Sequence, residues 1–114
     1  DLHLSLRRQR QMCIRDSSVV ELDQRIIRKM TIMFKALADE SRLRILTLLE
    51  RGPGHSVGEI AEELGLSQSN VSHHLARLVD MGFVSYRRRG KLVYYYISDK
   101  CIRDIMRRAR NHVT

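Results

Sequence analysis

Ser56-Val-Gly-Glu-Ile-Ala-Glu-Glu-Leu-Gly65-Leu-Ser-Gln-Ser-Asn-Val-Ser-His-His-Leu75-Ala-Arg-Leu-Val-Asp80 carries the start and stop signals of two consecutive helices. Ser56 and Glu59 stand at capping-box spacing, where a hydroxyl and a carboxylate satisfy the orphan backbone donors of a helix start. Ile60, Ala61 and Leu64 supply the apolar side of the short helix that follows. Gly65-Leu66-Ser67 then combines a helix stop with the N-cap of the next helix. That second helix runs from Gln68 to Asp80, with Val71, Leu75 and Leu78 on one side. A short helix, a three-residue turn and a second helix form the arrangement that lays a helix in the major groove of DNA.

Angular position separates core from groove. At about 100° per residue, Ser69, His73 and Ala76 fall opposite the apolar stripe. Asn70, Ser72 and Arg77 flank them, and Gln68 projects past the helix end. Small polar groups suit hydrogen bonds to base edges, although alone this face also reads as a solvated helix surface. The segment downstream favours the first reading. After Met81-Gly82 the apolar period changes to two, so Phe83 to Arg88 and Lys91 to Ile97 read as strands joined by a tight turn at Arg89-Gly90. Arg87, Arg88, Arg89 and Lys91 gather four positive charges at the hairpin tip with no acid nearby. Lysine on an edge strand can guard against unwanted pairing, but four cations at one turn suit phosphates or the minor groove.

Working outward, Val19 to Leu37 carries apolar residues three and four apart and reads as a helix with one broad stripe. Asp39 offers the N-cap of another, with Leu43, Ile45, Leu46 and Leu49 as its buried face. Arg51 to His55 is a turn, and a last helix runs from about Asp99 to His112. The expected fold is mainly α with a small β-hairpin: a winged helix-turn-helix of about five helices over residues 19–114. Residues 1–18 show no helix period and read as an N-terminal tail, disordered or non-native. Cys13-Ile-Arg-Asp16 recurs as Cys101-Ile-Arg-Asp104 with no repeat around it.

Composition agrees. A chain of 114 residues holds one domain, and 21 Lys and Arg against 13 Asp and Glu leave a net charge of +8, which favours a polyanionic partner. Two cysteines are too few for a disulfide framework and point to a reducing, cytoplasmic compartment. No apolar run approaches the roughly 18 residues of a membrane span. No nucleophile–base pairing, glycine-rich phosphate loop or spaced carboxylate pair suggests an enzyme.

From Phe34 to Val113 the chain resembles the ArsR/SmtB family of bacterial metal-sensing winged-helix repressors. The residues that carry the likeness are Leu37-Ala-Asp-Glu-Ser-Arg-Leu-Arg-Ile-Leu46, Gly65-Leu-Ser-Gln-Ser-Asn-Val-Ser-His-His-Leu75 and Gly90-Lys-Leu-Val-Tyr-Tyr95. The resemblance implies a homodimer joined by its first and last helices, bound to a palindromic double-stranded operator when metal-free and released by an inducer. Of the family's metal sites, the Cys-x-Cys at the start of the helix before the recognition helix is missing, because Ser56 and Gly58 occupy those positions. With only two cysteines in the chain, one of them Cys13 in the tail, a three-thiolate arsenite site within one subunit is excluded. The site on the last helix, Asp-x-His followed after ten residues by His, has a counterpart in Asp99-Lys-Cys101 and His112, with Cys in place of the first His. A fourth ligand would fall just beyond Thr114.

Cys101 and His112 lie eleven residues apart, nearly three turns, so they share a face but stand roughly 16 Å apart along the axis. One helix cannot bring both to an ion. Two antiparallel copies can, with Asp99 and Cys101 from one subunit and His112 from the other, giving two sites per dimer. Carboxylate, thiolate and imidazole suit zinc, cobalt or cadmium. Each residue also has a plainer role: Asp99 as N-cap, Cys101 as a small buried hydrophobe, His112 at a helix C-terminus. His55, His73 and His74 do not read as ligands. The alternatives are a repressor sensing thiol oxidation or another non-metal signal, and a winged-helix module for protein interaction.

Overall fold

The computed structural model describes residues 17–114, and the side chains of 23–114. Its elements are α1 (Ser17–Leu37), α2 (Glu40–Glu50), α3 (Val57–Leu64), α4 (Gln68–Asp80), β1 (Val84–Arg89), β2 (Leu92–Ile97) and α5 (Lys100–Val113). The chain divides into two units, one ending at Leu37 and the other running from Ala38 to Thr114. Of the expected tail, residues 1–16 lie outside the described residues, and Ser17 and Ser18 open α1. No described helix is long and apolar enough to cross a membrane.

Each helix of the second unit begins on a side-chain cap. Asp39 accepts a hydrogen bond from the Arg42 backbone amide at 3.0 Å. Ser56 Oγ accepts from the Glu59 amide at 3.2 Å, and its own hydroxyl donates to Glu59 Oε1. The capping box is thus closed through the hydroxyl, rather than through the Ser56 backbone N–H. Gly65 ends α3 in the left-handed region at φ 66°, a conformation that costs a residue with a Cβ roughly 1–2 kcal/mol. The Leu66 amide then reaches back to the Ala61 carbonyl at 3.0 Å. Ser67 at once caps α4 through the Asn70 amide, 3.1 Å away.

Ile45, Leu46, Leu49, Ile60, Val71, Leu75, Leu78, Val84, Ile97 and Ile102 form the core, all nearly or completely shielded from water. Full burial of one such aliphatic side chain contributes about 1.5–3 kcal/mol. Leu43, expected among them, is instead 38% exposed. It sits beside Arg44 and Thr47 on the rim of a groove between α2 and α3, because α2 is apolar around more of its circumference than one core contact can cover.

The hairpin differs slightly from expectation. Its register pairs Val84 with Ile97 and Arg89 with Leu92, so the two-residue turn is Gly90-Lys91, one residue later than read from the sequence. Gly90 has φ 62° and Lys91 a negative φ, the pattern of a type II′ turn with glycine first. His55 adds a bridge to the free edge of β2, exchanging backbone hydrogen bonds with Tyr95 at 3.0 and 2.8 Å. The turn before α3 is thereby fastened to the wing. At the other end, Glu50 accepts from both Arg107 and Arg110, tying the end of α2 to α5.

Candidate nucleic-acid interface

The caps at Ser67 and Ser56 fix where α4 begins, and its burial pattern fixes what it presents. Val71, Leu75 and Leu78 are fully buried, so α4 is held by one face only. Gln68, Ser69, Asn70, Ser72, His73, Ala76 and Arg77 are all exposed. All seven stand clear of the core, and among the described residues the His73–His74 ring contact is the side-chain interaction recorded for them. The Gln68 amide nitrogen would lie 3.8 Å from a Cβ at Gly58, so the start of α3 leaves room for it.

Neighbouring histidines take different environments. The His73 ring is exposed and meets His74 edge-on with ring centroids 5.8 Å apart. His74 is half-buried, and its Nδ1 is enclosed without a hydrogen-bond partner. It acts electrostatically on Asp39, whose carboxyl is held below its ordinary value of 3.8. The largest cause is the hydrogen bond from the Arg42 amide. Partial burial opposes it, and the charges of Arg42 and His74 add to it.

The four wing cations are exposed, but strand alternation divides them. Arg87 and Arg89 point to the side shared by Tyr94 and Tyr96, while Arg88 points to the side of Tyr86 and Tyr95. Lys91 is in the turn. Arg87 lies over the Tyr96 ring, 5.3 Å from its centroid. Among the described residues, no carboxylate pairs with any of the four. In the sequence the four cations form one cluster, and Tyr94 and Tyr96 lie outside it. The run Tyr94-Tyr95-Tyr96 in an alternating strand was the available signal for these two.

The residues considered for a metal fall elsewhere. Asp99 caps α5, its Oδ1 accepting from the Cys101 and Ile102 amides at 2.9 and 3.2 Å. Cys101 is exposed with a free thiol, so it is not a core residue. His112 is exposed in the last turn of the same helix. Among the described residues no three His, Cys, Asp or Glu side chains converge within one chain. Asp99 and Cys101 share a helix start, a carboxylate and thiol pair that fits a borderline divalent ion but needs further ligands from beyond the described residues of one chain.

Residues 39–86 match the family described as bacterial regulatory protein, arsR family. The chain is 46% identical over 77 residues to a probable mercury resistance operon repressor of Streptomyces lividans, a stretch covering 68% of this chain and 61% of that protein. It thus spans less than two thirds of that relative's length. It is 38% identical over 95 residues to a transcriptional repressor SmtB homolog of Synechocystis, covering 83% of this chain and 70% of the other. Among solved structures it superposes on a homodimeric winged helix-turn-helix DNA-binding domain from Mycobacterium bovis with a TM-score of 0.71 at 28% identity, over 80% of this chain and 83% of that one.

Proposed function

The chain belongs to the ArsR/SmtB family of bacterial winged-helix transcriptional repressors, and from that premise we propose that it is a homodimeric operator-binding repressor released by a divalent metal ion. One observation carries the operator reading. A helix buried along one face presents seven exposed small or polar residues, in the same unit as four exposed wing cations with no acid partner among the described residues. Gln68, Ser69, Asn70, Ser72, His73 and Arg77 read base edges in the major groove. Arg87, Arg88, Arg89 and Lys91 hold the backbone, since cations there place a protein on the duplex without choosing a sequence.

The inducer is an ion of the zinc, cobalt or cadmium class, held by Asp99, Cys101 and the partner's His112, with two such sites in a dimer. Support comes from the free thiol of Cys101 beside the Asp99 carboxylate, and from the metal-resistance repressor among the relatives. Bound there, an ion supplies a crosslink between two copies of α5. Asp99 orients the first turn of α5 through Oδ1, which leaves its second oxygen to ligate. Cys101 must lose its thiol proton and His112 must be neutral to ligate, so induction should fade as pH falls. The free energy available for release equals the difference in ion affinity between the DNA-fitting and non-fitting dimer geometries.

The experiment is operator binding, followed by fluorescence anisotropy, with zinc, cobalt and cadmium added. Wild type should dissociate with at least one ion. Cys101→Ser and His112→Ala should bind the operator with unchanged affinity and resist release. If none of the three ions dissociates the wild-type complex, the metal reading falls. Release by peroxide alone would put thiol oxidation at Cys101 in its place.

A further inference from the structure

A cleft opens on the side of the wing turned away from the core. It has a volume of about 300 Å³ and is lined by Pro53, Gly54, Arg87, Arg89, Tyr94 and Tyr96. A second hollow of about 230 Å³ shares Pro53, Arg87 and Tyr96 with it and reaches Arg103 of α5. The origin of the cleft lies in the strand register. Val84 and Ile97 turn one face of the hairpin into the core, so their neighbours Arg87, Tyr94 and Tyr96 project from the other. The His55 bridge then holds the Gly52–Gly54 turn against this outer face, and a Cβ at Gly54 would already touch Tyr94 Cβ at 3.5 Å.

The contents of the cleft are unbalanced in charge. Arg87 and Arg89 in the cleft, and Arg103 in the adjoining hollow, have no carboxylate partner among the described residues. Arg103 is oriented by a hydrogen bond from its Nη2 to the Ile97 carbonyl at 2.9 Å, and Arg87 by the Tyr96 ring. Guanidinium groups held in a concavity match a phosphate through paired N–H donors. Two phenol rings beside them add hydroxyl donors and flat apolar faces on which a nucleobase can stack.

We propose that this cleft and the adjoining hollow together bind a mononucleotide, its phosphate among Arg87, Arg89 and Arg103 and its base against the Tyr94 ring. This site is distinct from the recognition face of α4. Its consequence rests on the operator reading above: Arg87 and Arg89 also serve the operator backbone there, so bound nucleotide and operator compete for the same guanidinium groups.

The test titrates the DNA-free full chain with adenosine monophosphate, using calorimetry and phosphorus NMR. One saturable site per chain is expected. Arg89→Ala and Arg103→Gln should each weaken it by about tenfold or more, and Arg88→Ala, on the opposite face of the hairpin, should leave it unchanged. Arg89 is exposed at the wing tip, so its variant keeps the test valid even if Arg103→Gln fails to fold. Inorganic phosphate should bind more weakly than the nucleotide. The proposal is overturned if no saturation appears up to about 10 mM, if phosphate binds as well as the nucleotide, or if Arg88→Ala weakens binding as much as Arg89→Ala. Operator affinity measured in parallel separates the two readings. Loss of duplex binding in Arg103→Gln with no nucleotide binding in wild type would assign the cleft to the DNA backbone and overturn the free-ligand site.

Discussion

His73 and His74 show how a single position along a helix changes a residue's work. His73 is exposed on the face opposite Val71 and Leu75, where it can meet a base edge. Ser69→Ala or His73→Ala should therefore narrow the gap between operator and random DNA by about 1–3 kcal/mol per lost base contact. Arg88→Ala should instead weaken both duplexes together and flatten the salt dependence, because a phosphate contact carries no sequence information. Binding isotherms at two salt concentrations separate the classes, and identical behaviour would refute the division between helix and wing. His74 faces inward and adds to the field that lowers the Asp39 carboxyl. Since that carboxyl titrates lower in the folded chain than its ordinary 3.8, its contribution to stability is complete above that value and disappears as pH falls through the folded one. Asn also caps helices but carries no charge. The melting temperature of wild type should exceed that of Asp39→Asn at neutral pH, and the gap should close as the pH falls below 3.8 and through the lowered folded-state value. A gap that persists in acid would show that the charge is not the cause.

At the scale of elements, the helix-turn-helix depends on Gly65. Nothing lies within 4 Å of a Cβ built there, so Gly65→Ala meets no clash and its cost is the left-handed backbone alone. Urea unfolding should show a loss of about 1–2 kcal/mol, with Gly65→Asn milder because Asn tolerates this region. A full-size loss in the Asn variant would point to contacts rather than conformation. The caps and the glycine stop were legible in the sequence because each acts within four residues. The hairpin turn was misplaced by one residue, because alternation marks strand interiors and not which glycine-containing pair closes them. The tie from Glu50 to Arg110 spans 60 residues and left no periodic trace. With the Glu50 carboxylate nearly buried and its arginines partly exposed, Glu50→Gln should cost about 1 kcal/mol.

For the whole molecule, the exposed apolar residues bear on assembly. On α1, Ile26, Ile27, Met30 and Phe34 are each between 44% and 60% exposed, and on α5 Val113 is 80% exposed. Surfaces of this kind are costly in water unless another chain covers them. In the proposed repressor a second copy does so, and its two recognition helices stand about 34 Å apart on a palindromic site. Sedimentation at micromolar concentration should give a dimer, and Ile27→Glu with Phe34→Glu should give a folded monomer with weakened operator binding. A monomeric wild type would remove both the paired recognition helices and the shared metal site.

The order of the helices, their caps, the helix-turn-helix and the polar face of α4 were determined by the sequence by itself, since capping, helical period and strand alternation are forces between near neighbours. The Cys101–His112 spacing was equally readable, because a helix rises by a constant amount per residue. Only the tertiary structure decided which side of the wing each arginine occupies, since that depends on which face Val84 and Ile97 turn into the core. It also decided the cleft, where the His55 bridge brings a glycine turn against tyrosines some 40 residues further along the chain. Contacts between such distant segments arise only when the core closes, and no local pattern records them.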